Sequence, residues 1–266
     1  MKLNKDYFKA NKELWDAKTN THITSDFYNL SEFKQTKNSL KHVELTELPK
    51  LKGKAVLHLQ CHFGQDSISL AQLGANVTAI DLSPNAIKVA RELAKDVAVS
   101  VNFIESNVYD IDQTVQGEFD LIFASYGTIC WLPDLDKWAK LIAEKLKPGG
   151  QFYFVEFHPF LDTLDDEYRQ FGYPYFNESV LAIETEGTYT DRNSGSKQTE
   201  YLWNHSISEV LNALINQGLS IDFFNEFPYT VWPCFPGLTK IGDEKWTFEH
   251  LETSIPMMYS LLATKG

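Results

Sequence analysis

The sequence predicts a doubly wound α/β protein, a parallel sheet covered by helices on both faces. Three observations carry this reading: apolar runs of strand length recur between Ala55 and Phe157, helix-period segments alternate with them, and Gly, Ser-Pro or Lys-Pro-Gly-Gly punctuation separates the two. Strands joined through helices in this way take right-handed crossovers, which place the helices on both sides of the sheet.

The elements follow in order. Residues 5–48 are polar and mixed, with helix-compatible pieces at Phe8–Trp15 and Ser31–Val43, and read as an N-terminal helical cap. After Pro49 and Gly53, the run Ala55–Leu59 suits a first buried strand. Ser67–Leu73 fits a helix that Gly74 stops, and Asn76–Ile80 is a second strand closed by Asp81. Ser83 and Pro84 then open a helix as N-cap and first-turn proline, with Ile87, Ala90, Leu93 and Ala94 on one face. Val99–Ile104 is a third strand, Asp110–Glu118 a loop or short helix, and Phe119–Ala124 a fourth strand. An amphipathic helix spans Leu135–Leu146, a turn follows at Lys147–Gly150, and Gln151–Phe157 is the fifth strand.

Beyond His158 the pattern becomes aromatic and loop-like, with Val180–Thr190 and Gln198–Trp203 able to pair as a hairpin inserted over the sheet. Ser206–Gln217 resumes as a helix ended by Gly218, and Ser220–Phe227 and Pro256–Thr264 are the remaining strands.

Composition narrows the class. A net charge of -12 repels a phosphate backbone, so nucleic acid is a poor partner. No apolar run approaches the roughly 20 residues that a membrane span needs, and the first residues lack a signal peptide's apolar stretch, so the expected location is cytoplasmic. Cys61, Cys130 and Cys234 are odd in number and lack paired ligand spacing; they read as reduced thiols, with no disulfide framework and no metal site.

In open α/β sheets ligands bind outside the carboxyl ends of the strands. That rule selects a loop of Gln60, Cys61, His62, Phe63, Gly64, Gln65 and Asp66 feeding a helix N-terminus, then Asp81, placed to accept ribose hydroxyls, and Asn107, placed for an adenine edge. A dinucleotide fingerprint needs glycines where Gln60 and His62 stand, because pyrophosphate must approach the backbone. S-adenosylmethionine, an adenosine without phosphate, fits better.

Four markers in order, Val56–Gly64, Asp81–Ile87, Phe119–Gly127 and Leu146–Gly150, make the chain resemble the class I S-adenosylmethionine-dependent methyltransferases. More narrowly it resembles a bacterial branch with Leu-Gln-Cys-His-Phe-Gly in the first loop. The resemblance implies a Rossmann-like, seven-stranded, mostly parallel sheet with an antiparallel last strand. It also implies a small-molecule acceptor methylated on O, N or S, approaching from the side of Ser125–Trp131. The cofactor is expected across Gly64, Asp81 and Asn107, with Gln60, Cys61, His62, Phe63, Asp66, Leu82, Ser83, Val108, Ser125 and Tyr126 beside it. The family usually has an acidic residue at the position of His58 and Gly at those of Gln60 and His62, so Gln60 or Asp66 is expected to meet the methionine ammonium instead.

Methyl transfer demands in-line approach within about 3–3.5 Å and exclusion of water, and a base only where the acceptor holds its proton tightly. His158 is the best-placed candidate base, with Tyr126 and His205 behind it; the plain alternative is that each is a hydrogen-bonded structural residue. Glu156, inside a buried strand, must be paired or functional. Tyr28, Trp131, His158, Tyr175 and Trp232 are the candidate substrate contacts. Trp15, Phe27 and Tyr28 are a candidate lid, and the many rings of the insertion either close over the acceptor or form the insertion's own core. The organisation reads as one domain over residues 1–266: a cap (1–50), a cofactor-binding core (51–157), an inserted substrate-covering lobe (158–205) and the end of the sheet (206–266), in a monomer or homodimer. Two other functions are weighed: a non-catalytic protein that binds S-adenosylmethionine or another nucleoside, and a nicotinamide-dependent oxidoreductase.

Overall fold

The computed structural model describes residues 5–192, 197–251 and 253–266. Residues 1–4 of the expected cap, 193–196 of the expected lobe and 252 of the expected C-terminal part lie outside the described residues. The first half runs α1 (Lys5–His22), α2 (Leu30–Thr36), α3 (His42–Glu47), β1 (Ala55–His58), α4 (Gln65–Gln72), β2 (Asn76–Asp81), α5 (Pro84–Asp96), β3 (Asn102–Glu105), α6 (Ile111–Thr114), β4 (Phe119–Ser125), α7 (Leu135–Lys145) and β5 (Leu146–Phe157). Then come β6 (Leu181–Thr185), β7 (Gln198–Leu202), α8 (Ile207–Asn216), β8 (Leu219–Phe227), β9 (Leu238–Gly242), β10 (Lys245–Phe248) and β11 (Met258–Lys265).

Seven strands form one sheet in the order β3-β2-β1-β4-β5-β11-β8, parallel throughout except that β11 is antiparallel to both β5 and β8. Alternate residues of each strand feed two cores. Leu57, Ile122, Phe152, Phe154 and Leu261 pack with Trp138 of α7 and Leu214 of α8. Val56, Leu121, Phe123, Tyr153 and Val155 pack on the other face with Ile68 of α4 and Ile87 and Ala90 of α5. This double covering is why the strands read as continuous apolar runs. Strand order reverses between β1 and β4, and the loops that diverge there open a crevice at the carboxyl ends.

The sequence-based elements depart from the structure in five places, the first being the expected hairpin strand Val180–Thr190, which ends at Thr185. The piece Ser31–Val43 breaks at Lys37, which adopts a left-handed φ of 54° and donates its N–H to Phe33 O at 2.7 Å, ending α2. Val99 lies in the turn that closes α5, not in the third strand, because Ala98 turns left-handed and the Val99 N–H returns to Ala94 O at 2.9 Å. Pairing of β5 already begins at Leu146, opposite Phe119, with a register shift before Gln151. The hairpin β9–β10 was not anticipated; its tight turn holds Glu244 at φ 48°.

The cap is tied to both the core and the insertion. Asn11 of α1 exchanges two hydrogen bonds with the backbone of Tyr201, through Nδ2 at 2.8 Å and Oδ1 at 3.0 Å. Lys18 forms a buried ion pair with Glu200, and Asp16 accepts from Asn85 N at 3.2 Å. On the other face Glu47 of α3 accepts from Tyr153 at 2.8 Å, Asn225 at 2.9 Å and Ser260 at 3.0 Å, which pins the cap to three strands.

Glu44, one turn earlier, is 1% exposed, and its Oε2 has no hydrogen-bond partner. Burial, reinforced by the charge of Asp66, pushes its carboxyl up to about 8, so it is neutral at pH 7. A carboxyl raised in the folded state favours folding below its unfolded value near 4.5 and loses that contribution as pH rises through about 8. Glu44→Gln is therefore expected to match the parent near pH 5 and to exceed it at pH 9, by on the order of 4 kcal/mol at most, in denaturant titrations at both pH values. A constant gap between the two proteins would refute this.

Candidate functional site

The turn after β1 builds the site. Gln60, His62 and Gly64 all have positive φ, of 52°, 49° and 83°. For the two non-glycines this conformation costs roughly 1–2 kcal/mol each, so it must be enforced from outside. Enforcement comes from Leu59 N bonding Phe123 O at 2.9 Å, Cys61 N bonding Ile80 O at 2.8 Å and His62 N donating to Asp81 Oδ2 at 2.8 Å. Gly64 cannot be replaced cheaply, because a Cβ there would meet the Phe103 ring at 2.6 Å and Ala90 Cβ at 3.0 Å.

Where the family pattern has glycine, this chain uses side chains as ties. Gln60 Nε2 donates to Thr128 O at 2.8 Å, joining the turn to the loop after β4, and leaves Oε1 buried without a partner. His62 Nε2 meets His22 Nδ1 of α1 at 2.8 Å. Burial pushes both imidazoles down, His22 to about 3, so the pair is neutral and shares one proton across that contact. The Trp15 ring stands edge-on to His62 at 5.3 Å and to Trp131 at 5.3 Å, while Tyr28 packs on Phe63 at 4.7 Å.

These groups surround one cavity of about 670 Å³ at the carboxyl ends of β1–β5. Gln60, Cys61, His62, Phe63, Gly64, Asp66, Asp81, Leu82, Asn107, Val108, Ser125 and Tyr126 all line it, as do Tyr28, Trp131 and Trp232. Asp81 accepts from Ser83 N at 2.8 Å as well as from His62 N; burial outweighs these donors and pushes its carboxyl up to about 6. Asp66 accepts from Ser39 Oγ at 2.5 Å and from Ser125 Oγ at 3.0 Å. Asn107 Oδ1 caps the turn at Val108–Asp110 by accepting from Tyr109 N at 3.0 Å, which leaves its amide donors free. His58 is buried under the site, bonded to Ser67 Oγ at 2.7 Å, and is pushed down to about 4 by burial.

Three expected contacts are corrected by position. His158 does not line the cavity: its Nδ1 accepts from Phe160 N at 3.1 Å and its Nε2 is 2.9 Å from Glu226, so both ring nitrogens are spent on a corner after β5. Tyr175 stands away from the cavity, its hydroxyl accepting from Ile207 N at 3.3 Å. Ser83 is fully buried as the N-cap of α5, its hydroxyl accepting from Ala86 N at 3.0 Å and donating to Asp16. His205 is likewise held, through Nε2, by Leu132 O at 2.7 Å. Of the insertion's rings, Phe171 and Phe176 face outward at 74% and 64% exposure, whereas Tyr168 and Tyr189 reach the cavity, as does Phe235 of the C-terminal part.

Glu156 proves to be a positioning residue. Its two oxygens accept from the N–H groups of Gly127, Thr128 at 2.7 Å, Ile129 at 3.3 Å and Phe157 at 2.7 Å. One carboxylate thus shapes the whole loop after β4. Sequence reasoning missed Lys18, Asp162 and Arg192 as cavity residues, because each arrives from a distant element and no local pattern marks it. Among the described residues no His, Cys, Asp and Glu cluster could hold a metal ion, and no helix is long and apolar enough to cross a membrane.

Residues 56–150 match the family model described as "Methyltransferase domain". A ubiquinone biosynthesis O-methyltransferase of Hydrogenovibrio crunogenus is 29% identical over 154 residues, 58% of this chain and 61% of that protein. Its counterpart in Xanthomonas euvesicatoria is 36% identical over 104 residues, 39% of this chain and 43% of that protein. The chain therefore matches less than two thirds of the length of either relative. Among solved structures, an S-adenosylmethionine-dependent methyltransferase of Listeria monocytogenes superposes with a TM-score of 0.60 at 23% identity, covering 85% of this chain and 96% of that one. A magnesium protoporphyrin IX methyltransferase of Synechocystis, solved with S-adenosylmethionine bound, gives 0.56 at 13% identity over 100% of both chains. Fold and matched segment define the class: a Rossmann-like methyltransferase domain. The fold is the one these S-adenosylmethionine-dependent methyltransferases have, and residues 56–150 are similar to the methyltransferase domain family.

Two variants test the architecture. Gly64→Ala is expected to cost about 2–4 kcal/mol, combining a forbidden φ with overpacking against Phe103; a loss below about 0.5 kcal/mol in urea unfolding would show that the turn is not constrained as described. Glu156→Gln removes acceptor capacity, so the amides of Gly127–Ile129 should exchange hydrogen at least tenfold faster while those of β4 stay protected. Uniform protection by mass spectrometry would contradict the positioning role.

Proposed function

We propose that the chain transfers a methyl group from S-adenosylmethionine to an O, N or S atom of a small molecule. The observation that carries this reading is the Asp81 carboxylate at the end of β2, lining the cavity beside the left-handed turn at residues 60–64. Each Asp81 oxygen uses one lone pair on a backbone N–H and keeps another for a ribose hydroxyl. Asn107 offers amide donors toward an adenine edge, and Val108 and Leu82 give apolar walls. The buried, unpartnered Gln60 Oε1 is an acceptor in need of a donor, which suits the ammonium of a methionine moiety.

The bound cofactor would supply a methyl group already activated on a sulfonium, so the protein's task is placement and drying. Trp15, Phe27, Tyr28 and Trp131 roof the cavity, and the Lys18–Glu200 pair ties that roof to the insertion. Closing such a roof excludes water and holds two reactants in line. The side chains of Gln60 and His62 fill the space in which a dinucleotide fingerprint keeps glycine, which disfavours a nicotinamide cofactor. The same altered loop supports a second reading, a protein that holds the nucleoside without turnover. The ubiquinone-pathway names of the relatives favour an oxygen acceptor.

By calorimetry S-adenosylhomocysteine should bind the purified protein, NAD should not, and Asp81→Ala should weaken S-adenosylhomocysteine at least tenfold. Unchanged affinity in Asp81→Ala, or tighter binding of NAD, would overturn the assignment. Release of labelled methyl into a metabolite mixture separates the enzyme from the silent binder.

A further inference from the structure

Lys18 is a cation held almost wholly away from water, and its one carboxylate partner does not exhaust it. Lys18 of α1 is 7% exposed and Glu200 of β7 is 8% exposed, and both line the cavity. Their ion pair uses one of the three N–H donors of Lys18 and falls on Glu200 Oε1, which also accepts from Thr185 Oγ1 at 2.8 Å. Among the described residues no oxygen or nitrogen takes the other two donors, and nothing donates to Glu200 Oε2. The remaining neighbours of Lys18 Nζ are ring faces, with the centroid of Trp15 at 5.5 Å and that of Trp131 at 5.7 Å. Desolvating two charges is offset only when their spare protons and lone pairs also find partners, and this pair keeps some of both unspent beside a cavity.

The pair is fixed from both sides. The two bonds between Asn11 and the Tyr201 backbone hold α1 against β7, two turns before Lys18 and one residue after Glu200. Trp203 N donates to Cys130 O at 2.8 Å and Trp131 Nε1 to Gly127 O at 2.8 Å, which sets β7 and the Trp131 ring against the loop after β4. Trp15 and Trp131 meet edge to face at 5.3 Å, so flat apolar surface borders the charges. Donor and acceptor capacity therefore stand side by side at set positions, next to the loop from which an acceptor is expected.

Charge selects the ligand. A carboxylate that approaches Lys18 also meets Glu200, and an ammonium that approaches Glu200 also meets Lys18, so neither ion gains much. A neutral group that accepts from one residue and donates to the other satisfies both, and the indole surfaces favour a planar carrier. A lactam has this pattern, with C=O and N–H on one edge of a flat ring. We propose that Lys18 and Glu200 form a subsite for an acceptor with a lactam edge, its carbonyl oxygen accepting from Lys18 Nζ and its ring N–H donating to Glu200 Oε2. This rests on the methyltransferase reading and names the acceptor class of the same cavity.

The probes are 2-pyridone, 1-methyl-2-pyridone, benzoate and benzylamine, titrated by calorimetry into protein saturated with S-adenosylhomocysteine. 2-Pyridone should bind the wild type at least tenfold tighter than 1-methyl-2-pyridone, which lacks the N–H, and tighter than either ion. Glu200→Gln should erase the preference between the two pyridones, and Lys18→Met should weaken both, with S-adenosylhomocysteine affinity unchanged in each variant. Equal binding of the two pyridones to the wild type, tighter binding of benzoate or benzylamine, or no binding of 2-pyridone to protein that holds S-adenosylhomocysteine would overturn this inference alone. These comparisons need no variant, so they decide the matter even where a substitution prevents folding. A folded variant that loses S-adenosylhomocysteine would move the pair to the cofactor's site and overturn the inference as well. Failure of the wild type to bind S-adenosylhomocysteine would instead remove the reading beneath it.

Discussion

Asp81 accepts the N–H of His62 with one carboxylate oxygen and the N–H of Ser83 with the other, and so joins the turn after β1 to the start of α5 across the end of β2. The turn it holds contains three left-handed residues in five, two of them not glycine. Backbone of that kind survives only where its surroundings over-determine it. The sheet supplies the rest of the restraint through Phe123 O and Ile80 O, so the conformation of residues 60–64 is a property of three strands acting together. Every other feature of the cavity is placed relative to this turn.

Replacing glycine by Gln60 and His62 costs backbone strain and gains two ties. One runs to Thr128 in the loop after β4, the other to His22 in the cap. A glycine turn would leave cap and loop to be held by other means. Here the turn itself couples them, which places the roof, the floor and the β4 loop under one set of hydrogen bonds. The insertion joins the same network through Lys18–Glu200 and the two bonds between Asn11 and Tyr201.

Buried carboxylates do most of the remaining positioning. Glu156 gathers the successive N–H groups of residues 127–129, and Asp66 gathers two serine hydroxyls from the cap and β4. Each is stabilised because its acceptor capacity is filled by donors that must themselves be satisfied.

The apolar runs, the helix periods and the Ser83-Pro84 start were enough to determine the sheet's strands and their order of appearance, because burial on both faces imposes patterns that are local in sequence. Asp81 and the Gln60–Asp66 loop were legible for the same reason: strand ends and helix starts are short-range features. What the chain alone left open was where distant segments meet. His158 read as a base from its place after a strand, yet the packing of β8 brings Glu226 against it and turns it away from the cavity. Glu156 read as an unexplained buried charge until the β4 loop folded over it. Asp162, Lys18 and Arg192 carry no local signature, since their meaning depends on which groups they fail or manage to meet across the fold. Tertiary structure alone decided that, because hydrogen bonds and charges act over a few ångströms in space whatever their separation along the chain.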